Sequence, residues 1–369
     1  MKLVCKKANL LNGVQIVSKA VPGKTTMPIL ECILIDASQG RIKLTANDME
    51  LGIETIIDGD IVEKGIIALD AKIFLEIVRK LPDNMITIQA DSSLNVVIIC
   101  EKAKFNIVGK SGEDFSYLPE IEKENSVVIS QFTLKEVIRQ TIFSIADNEN
   151  NKMMTGELFE IENNNMKVVS LDGHRISLRN IELKDNYDHI KVVVPGKTLN
   201  EISKILTGEA DKDVVIYFTD KHILFEFDET TVLSRLIEGE YFRIEQMLST
   251  DYETKMSINK REFLNCIDRA TLLVKEGEKK PIIINVTDED MELKINSTIG
   301  SMNENIDIVK EGKDIMIGFN PKFLIDSLKV IDDEEINIYM VNPKAPCIIR
   351  DDHNTYLYLI LPVNFTVSN

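Results

Sequence analysis

Two Gly-Lys-Thr triplets, at residues 23–25 and 196–198, are the first places in this chain where residue types and spacing suggest chemistry. Such a triplet closes the phosphate-cradling loop of many nucleotide-binding proteins. That loop also needs a glycine five residues before the Gly-Lys pair, so that successive backbone amides can wrap the phosphates. Ser18 and Lys191 occupy those positions, and both matches fail. The histidines His174, His189, His222 and His353 form no HExxH, HxH or Cys/His spacing, so the sequence predicts no metal centre. Five scattered cysteines (Cys5, Cys32, Cys100, Cys266, Cys347) read as packed, reduced thiols. No G-x-S-x-G elbow is present. The acid run at residues 332–335 reads as a solvated loop. The expectation is a chain with no cofactor and no catalytic centre.

What does recur at fixed spacing is lysine. The segments DAKIFLEIVRKL (70–81), PGKTLNEISKIL (195–206) and NPKFLIDSLKVI (320–331) place Lys72, Lys197 and Lys322 125 residues apart both times. An acid follows four residues later (Glu76, Glu201, Asp326) and a base three further on (Arg79, Lys204, Lys329). Phe74, Ile77, Val78 and Leu81 show the helical stripe. Self-similarity at a fixed interval means tandem copies of one unit. A second helix opens each copy, over 8–21, 134–146 and 260–274. Pairs of β-branched, strand-like runs close each copy, at 85–90 and 95–109, 214–219 and 222–227, 336–341 and 355–363. The copies give domains at 1–122, 123–249 and 250–369, each two helices packed on antiparallel sheets, an α+β fold.

Charge is sorted on this pattern. The chain carries a formal −17, yet the six helical segments together carry +10 and the remainder −27. If those helices share a surface, a basic face lies inside an acidic shell, and an acidic exterior repels DNA from every other approach. Amphipathic helices with ordinary charged outer stripes remain the plain alternative. No apolar run reaches the ~18 residues a membrane span needs, and residues 1–13 lack the apolar core of a secretory leader. A cytoplasmic protein with no membrane partner is expected. Two further segments stand out: SLDGHRIS (170–177), with a turn-forming Asp-Gly pair, and the apolar YLYLILPVNF (356–365), a strand that should pack on something or form part of a groove.

PGKTTMPIL (22–30), TANDMELG (45–52), SLDGHRIS, RLIEGEYF (235–242), IGFNPKFLIDSLK (317–329) and LILPV (359–363) occur together and in order. In these the chain resembles the bacterial sliding clamps, the β subunits of DNA polymerase III holoenzyme, over essentially its whole length. The resemblance implies a non-catalytic processivity factor. Three tandem clamp domains would form a ring around duplex DNA as a head-to-tail homodimer. Lys24, Lys72, Arg79, Arg139, Lys197, Lys204 and Lys329 would line the hole. Met154, Leu171, Gly173, His174, Arg175, Ile176, Met247, Leu359, Leu361, Pro362 and Val363 would form a partner-peptide groove. It would serve the replicative polymerase, the clamp loader, repair and translesion polymerases and mismatch-repair proteins. Phe105 and Ile107 would meet Leu272 and Leu273 of the other subunit.

The chain departs from the family pattern at Tyr241, Phe242, Arg243 and Ile244, at Leu171, at Asn364 and at residues 152–154. These changes bear on the groove rim and on an auxiliary single-stranded DNA contact. Two other readings stay open at this point. One is a conventional DNA-binding protein using a basic face, against which the −17 counts; the other is an enzyme, against which the failed motifs count.

Overall fold

Each sequence copy supplies two helices: α1 (Lys7–Val17) and α2 (Ala71–Lys80), α3 (Gln131–Thr141) and α4 (Gly196–Ile205), α5 (Lys260–Thr271) and α6 (Pro321–Leu328). They belong to a computed structural model that describes residues 1–116, 118–147, 151–248, 251–275, 278, 280–288 and 290–365. In α2, Asp70 Oδ1 accepts the Ile73 N–H at 2.8 Å, which satisfies one of the orphan donors of the first turn. Phe74, Ile77 and Val78 are buried, while Arg79 and Lys80 sit in the last turn at the negative end of the helix dipole. Asn259 and Asn320 cap α5 and α6 in the same way.

Several boundaries differ from the sequence expectation: the helices expected over 8–21, 134–146 and 260–274 end at Val17, Thr141 and Thr271, and the strand expected over 355–363 ends at Ile360. Helix α3 starts at Gln131, three residues earlier than its apolar stripe suggests, because Ser130 Oγ accepts the Thr133 N–H at 3.1 Å and fixes the start there. The run 95–109 is two strands, Asn95–Cys100 and Ala103–Val108. The chain reverses at Glu101, whose φ is +52°, and Cys100 then faces Ala103. That reversal makes Ala103–Val108 the last strand of its sheet.

Packing divides the chain into two units, residues 1–134 with 201–236 and residues 135–200 with 237–369. The first holds a five-stranded sheet in the order Asp60–Glu63, Lys2–Lys6, Met85–Ala90, Asn95–Cys100, Ala103–Val108. It also holds an eight-stranded sheet: Ser126–Ser130, Asp213–Phe218, His222–Phe227, Thr230–Arg235, Leu51–Ile57, Ile42–Asn47, Cys32–Asp36, Ile66–Asp70. Strands of the first and second copies meet there, Thr230 opposite Thr55, with a buried hydroxyl contact of 2.9 Å between them.

The second unit repeats this plan. Its seven-stranded sheet runs Gly156–Leu171, Arg175–Pro195, Tyr356–Ile360, Cys347–Arg350, Glu335–Met340, Thr254–Asn259, Val309–Gly312. Strands of the second and third copies meet where Ile176 faces Leu359. A four-stranded sheet runs Ser301–Asp307, Asp290–Asn296, Ile282–Val286, Ile315–Phe319. Helices α5 and α6 cover a core that includes Phe263, Ile267, Phe319 and Leu324. Sheets therefore run across the sequence copies, which is why three copies pack as two units. The expected 122/123 boundary falls inside the first unit, and the 249/250 boundary lies outside the described residues.

All five cysteines are buried and unbridged, and burial pushes the Cys5, Cys266 and Cys347 thiols up to about 12. No helix among the described residues is long and apolar enough to cross a membrane. One glycine carries a large local cost. Gly312 has φ +96°, and a Cβ there would lie 1.9 Å from the Glu253 carbonyl oxygen. Gly312→Ala is expected to destabilise the second unit by about 2–3 kcal/mol, through left-handed strain and a backbone clash together. Urea unfolding reads this, and a loss below ~0.5 kcal/mol would contradict it.

Candidate functional site

The hairpin formed by Gly156–Leu171 and Arg175–Pro195 turns at residues 172–174, where Gly173 has φ +86°. Asp172 Oδ1 accepts the N–H groups of His174 (2.9 Å) and Arg175 (3.2 Å), so the Asp-Gly pair does serve as turn chemistry. Arg175 then points inward and is only 7% exposed. Its Nε donates to Asp172 Oδ2 at 3.0 Å, Nη1 to Asp326 Oδ2 at 2.6 Å and Nη2 to the Phe143 carbonyl at 2.5 Å. The guanidinium also lies over the Phe323 ring, 4.6 Å from its centroid. One side chain thus ties the turn, α6 and the segment after α3 together.

Beside this anchor opens a cavity of about 420 Å³. Met154, Leu171, Gly173, His174, Arg175, Ile176, Met247, Leu359 and Leu361 line it, all of them expected from sequence. Leu361 N donates to the His174 carbonyl at 2.8 Å, which lays the terminal segment along the turn. Pro362 and Val363 are not among the lining residues; Val363 N donates instead to the Gly318 carbonyl at 2.8 Å. Phe242 and Pro346 line the cavity without having been assigned. Phe242 had a signal, being one of two adjacent aromatics. Tyr241 is buried with its hydroxyl on the Val169 carbonyl (3.2 Å), and Phe242 packs edge-on against it. Pro346 lies outside any periodic pattern. Met247 and Leu361 are the most exposed apolar members, at 53% and 37%.

The first unit contains the matching hairpin, since residues 45–52 lie 125 positions before 170–177. Its cavity is only about 80 Å³. Leu118 fills the space over Gly52, where a Cβ would come within 1.9 Å of the leucine Cδ2.

The candidate lining bases divide into two kinds. Arg79 pairs with Glu76 (2.6 Å), Arg139 with Glu136 (2.6 Å) and Asp332 (3.3 Å), and Lys204 with Glu201 (2.8 Å). Hydrogen bonding to Glu136 raises the Arg139 pKa above its ordinary value. In the third copy the corresponding acid, Asp326, is turned to Arg175, and Lys329 has no ion pair among the described residues. Lys24, Lys72, Lys197, Lys204 and Lys329 are exposed. Phe105 (38% exposed) and half-buried Ile107 sit on the edge strand Ala103–Val108. Leu272, just after α5, is 78% exposed, whereas Leu273 packs partly onto the core of its own unit.

Family models of the DNA polymerase III beta subunit match the chain in three consecutive stretches. The N-terminal domain matches residues 1–119, the central domain 128–242 and the C-terminal domain 245–364. The chain belongs to the DNA polymerase III beta subunit family. It is 35% identical to the beta sliding clamp of Bacillus subtilis (strain 168) over 377 residues, covering 98% of this chain and 99% of that one. To a beta sliding clamp of Staphylococcus epidermidis it is 32% identical over 374 residues, with the same coverage. The crystal structure of the Bacillus subtilis DNA polymerase sliding clamp matches with a TM-score of 0.96 at 34% identity, over 99% of this chain and all of that chain. A Eubacterium rectale crystal structure, provisionally named a DNA polymerase III beta subunit, matches at 0.97 and 75% identity over the same shares. The three tandem clamp domains expected from sequence are therefore present. This sliding clamp is a polymerase processivity factor, an accessory subunit without catalysis of its own.

Proposed function

We propose that this clamp closes head to tail with a second copy into a ring around duplex DNA and holds it by topology. The observation that carries the reading is an open sheet edge bearing exposed apolar residues in one unit and a second open edge in the unit that exposes Leu272. Edge strands in natural sheets are normally short, charged or covered. Asp60–Glu63 is short and doubly acidic, and Val309–Gly312 is short with two charges. Ala103–Val108 is longer and exposes Phe105 and Val108, while Ser301–Asp307 ends the four-stranded sheet in the unit that exposes Leu272. One open edge on each unit suits heterologous closure. Phe105 and Ile107 of one copy would meet Leu272 and Leu273 of the other.

Lys24, Lys72, Arg79, Arg139, Lys197, Lys204 and Lys329 would line the hole. The helix ion pairs support sliding, because a base already shared with an acid offers phosphate only a weak, exchangeable contact. Contacts to phosphate also carry no sequence information. The 420 Å³ cavity, apolar apart from His174 and Arg175, suits a short apolar peptide segment. It would dock the replicative polymerase, the clamp loader, repair and translesion polymerases and mismatch-repair proteins in turn, in the cytoplasm. Domains at 1–122, 123–249 and 250–369 complete the reading.

Retention on DNA tests closure. The clamp is loaded on nicked circular duplex with its cognate loader and ATP, isolated, and the circle is cut once. We expect stable retention on the circle and loss on linearisation. Equal retention on both forms would replace the ring with direct adhesion to DNA.

A further inference from the structure

The groove does not end at its apolar cavity. A single cross-strand row runs over the seven-stranded sheet: Leu171 faces Ile176, Ile176 faces Leu359, Leu359 faces Ile348, Ile348 faces Tyr339, Tyr339 faces Lys255, and Lys255 faces Glu311. Directly opposed residues share one face of a sheet. The row therefore leads from three cavity-lining residues to an aromatic and basic cluster on that face. Tyr339 is 8% exposed, because Arg350 lies over its ring at 4.5 Å, Lys255 at 5.9 Å, and Tyr252 packs against it edge-on. Arg350 shares the face with Ile348, two residues before it on the same strand.

Charge makes this cluster unusual. In a chain of formal charge −17, Lys255 and Arg350 have no ion pair among the described residues. Glu311 faces Lys255 across the strand pair with no ion pair between them among the described residues, and two other neighbouring acids are engaged elsewhere. Asp351 accepts from Thr355 N and Oγ1 at 2.8 and 2.7 Å, and Glu253 pairs with Lys313. Two cations held over one tyrosine, offset only by the single carboxylate of Glu311 opposite Lys255, leave a positive spot continuous with an apolar groove.

We propose that Arg350 and Lys255 receive an acidic side chain of the docking segment. This inference rests on the groove reading above and gives that groove a preference: an apolar core with a carboxylate to one side. Tyr339 lies two strands from Leu359, about 10 Å at ~4.8 Å per strand, so the acid sits about three extended residues outside the apolar core. Tyr252, 44% exposed, forms the outer wall.

The test uses fluorescently labelled peptides from the clamp-binding segment of the cognate polymerase. Each is extended by three Asp or three Asn residues, at one end or the other, and titrated by anisotropy against the full-length clamp. We expect the Asp extension to tighten binding about five-fold over Asn, at one end only and less so at high salt. Lys255→Met with Arg350→Met keeps the stems that cover Tyr339 and removes the charges; it should abolish the Asp preference and leave the Asn peptides unchanged. Lys255→Glu with Arg350→Glu should instead favour a three-Lys extension. If the Asp/Asn ratio survives in the methionine variant, the proposal is wrong even where the peptide still docks. If Leu361→Ala leaves all peptides bound as tightly as before, the groove itself is misplaced.

Discussion

Arg175→Ala is expected to lower the unfolding free energy of this sliding clamp by about 3 kcal/mol, whereas Leu361→Ala should change it by less than ~1 kcal/mol. Both residues line the groove, yet they do different work. Arg175 is almost wholly buried and satisfies Asp172, Asp326 and the Phe143 carbonyl at once. Its removal leaves two carboxylates and a carbonyl without their donor in a partly dry site, and such orphaned charges are costly. Lysine cannot restore the arrangement, since a single ammonium does not span three acceptors in a planar fork. Leu361 lies at the open rim, so truncation removes apolar surface that a docked peptide would cover and little that the free protein buries. Leu361→Ala should therefore weaken peptide binding roughly ten-fold with the urea midpoint nearly unchanged. Arg175→Ala should lower the midpoint first, and any loss of binding would follow from the displaced turn. Equal midpoints for Arg175→Ala and the unmodified clamp would show that the Asp326 contact carries no stability.

That difference also marks where the sequence stopped being legible. The repeat was readable because each copy must bury one helix stripe, and a stripe has a fixed period. The groove was readable as a set of residues only through the resemblance to sliding clamps, which the 170–177 and 359–363 segments help to carry. Nothing local announced that Asp326 would leave its helix partner, since Glu76 and Glu201 at matching positions do pair within their helices. The diversion is a tertiary event between a helix and a hairpin turn about 150 residues apart. Pro346 joined the groove for the same kind of reason, brought in by strand pairing and without a pattern of its own. The charge reading needed a similar revision. The +10 on the helical segments is correct as a count, but Arg79, Arg139 and Lys204 spend part of their charge on acids three residues away. Sheets that run across copy boundaries were likewise invisible, because hydrogen-bonding partners in a sheet leave no mark at a fixed spacing.

Glu157 should give the clamp a pH-dependent stability that Glu157→Gln removes. It stands in the strand Gly156–Leu171 opposite Val194, fully buried, and neither carboxyl oxygen finds a hydrogen-bond partner among the described residues. The neighbouring Thr141 hydroxyl donates to the Val137 carbonyl at 2.7 Å. Burial disfavours the charged form and pushes the Glu157 carboxyl up from 4.5 to about 8. Between those values the folded chain keeps a proton that the unfolded chain has released. Stability from this group is thus full below about pH 4.5, falls as pH rises, and levels off above about pH 8. Across that window the loss amounts to roughly 3–5 kcal/mol, at about 1.4 kcal/mol for each pH unit crossed. Every other titrating group is common to both proteins, so the informative quantity is the difference between the variant and the parent at each pH. Glutamine has the same shape and no proton to lose. The two should therefore differ little at pH 4.5, and the variant should be the more stable by about 3 kcal/mol at pH 8. Urea unfolding at pH 5, 6, 7 and 8 measures the trend. A difference that stays constant across the series would mean that Glu157 does not hold its proton in the folded clamp, and that a donor or a water reaches it.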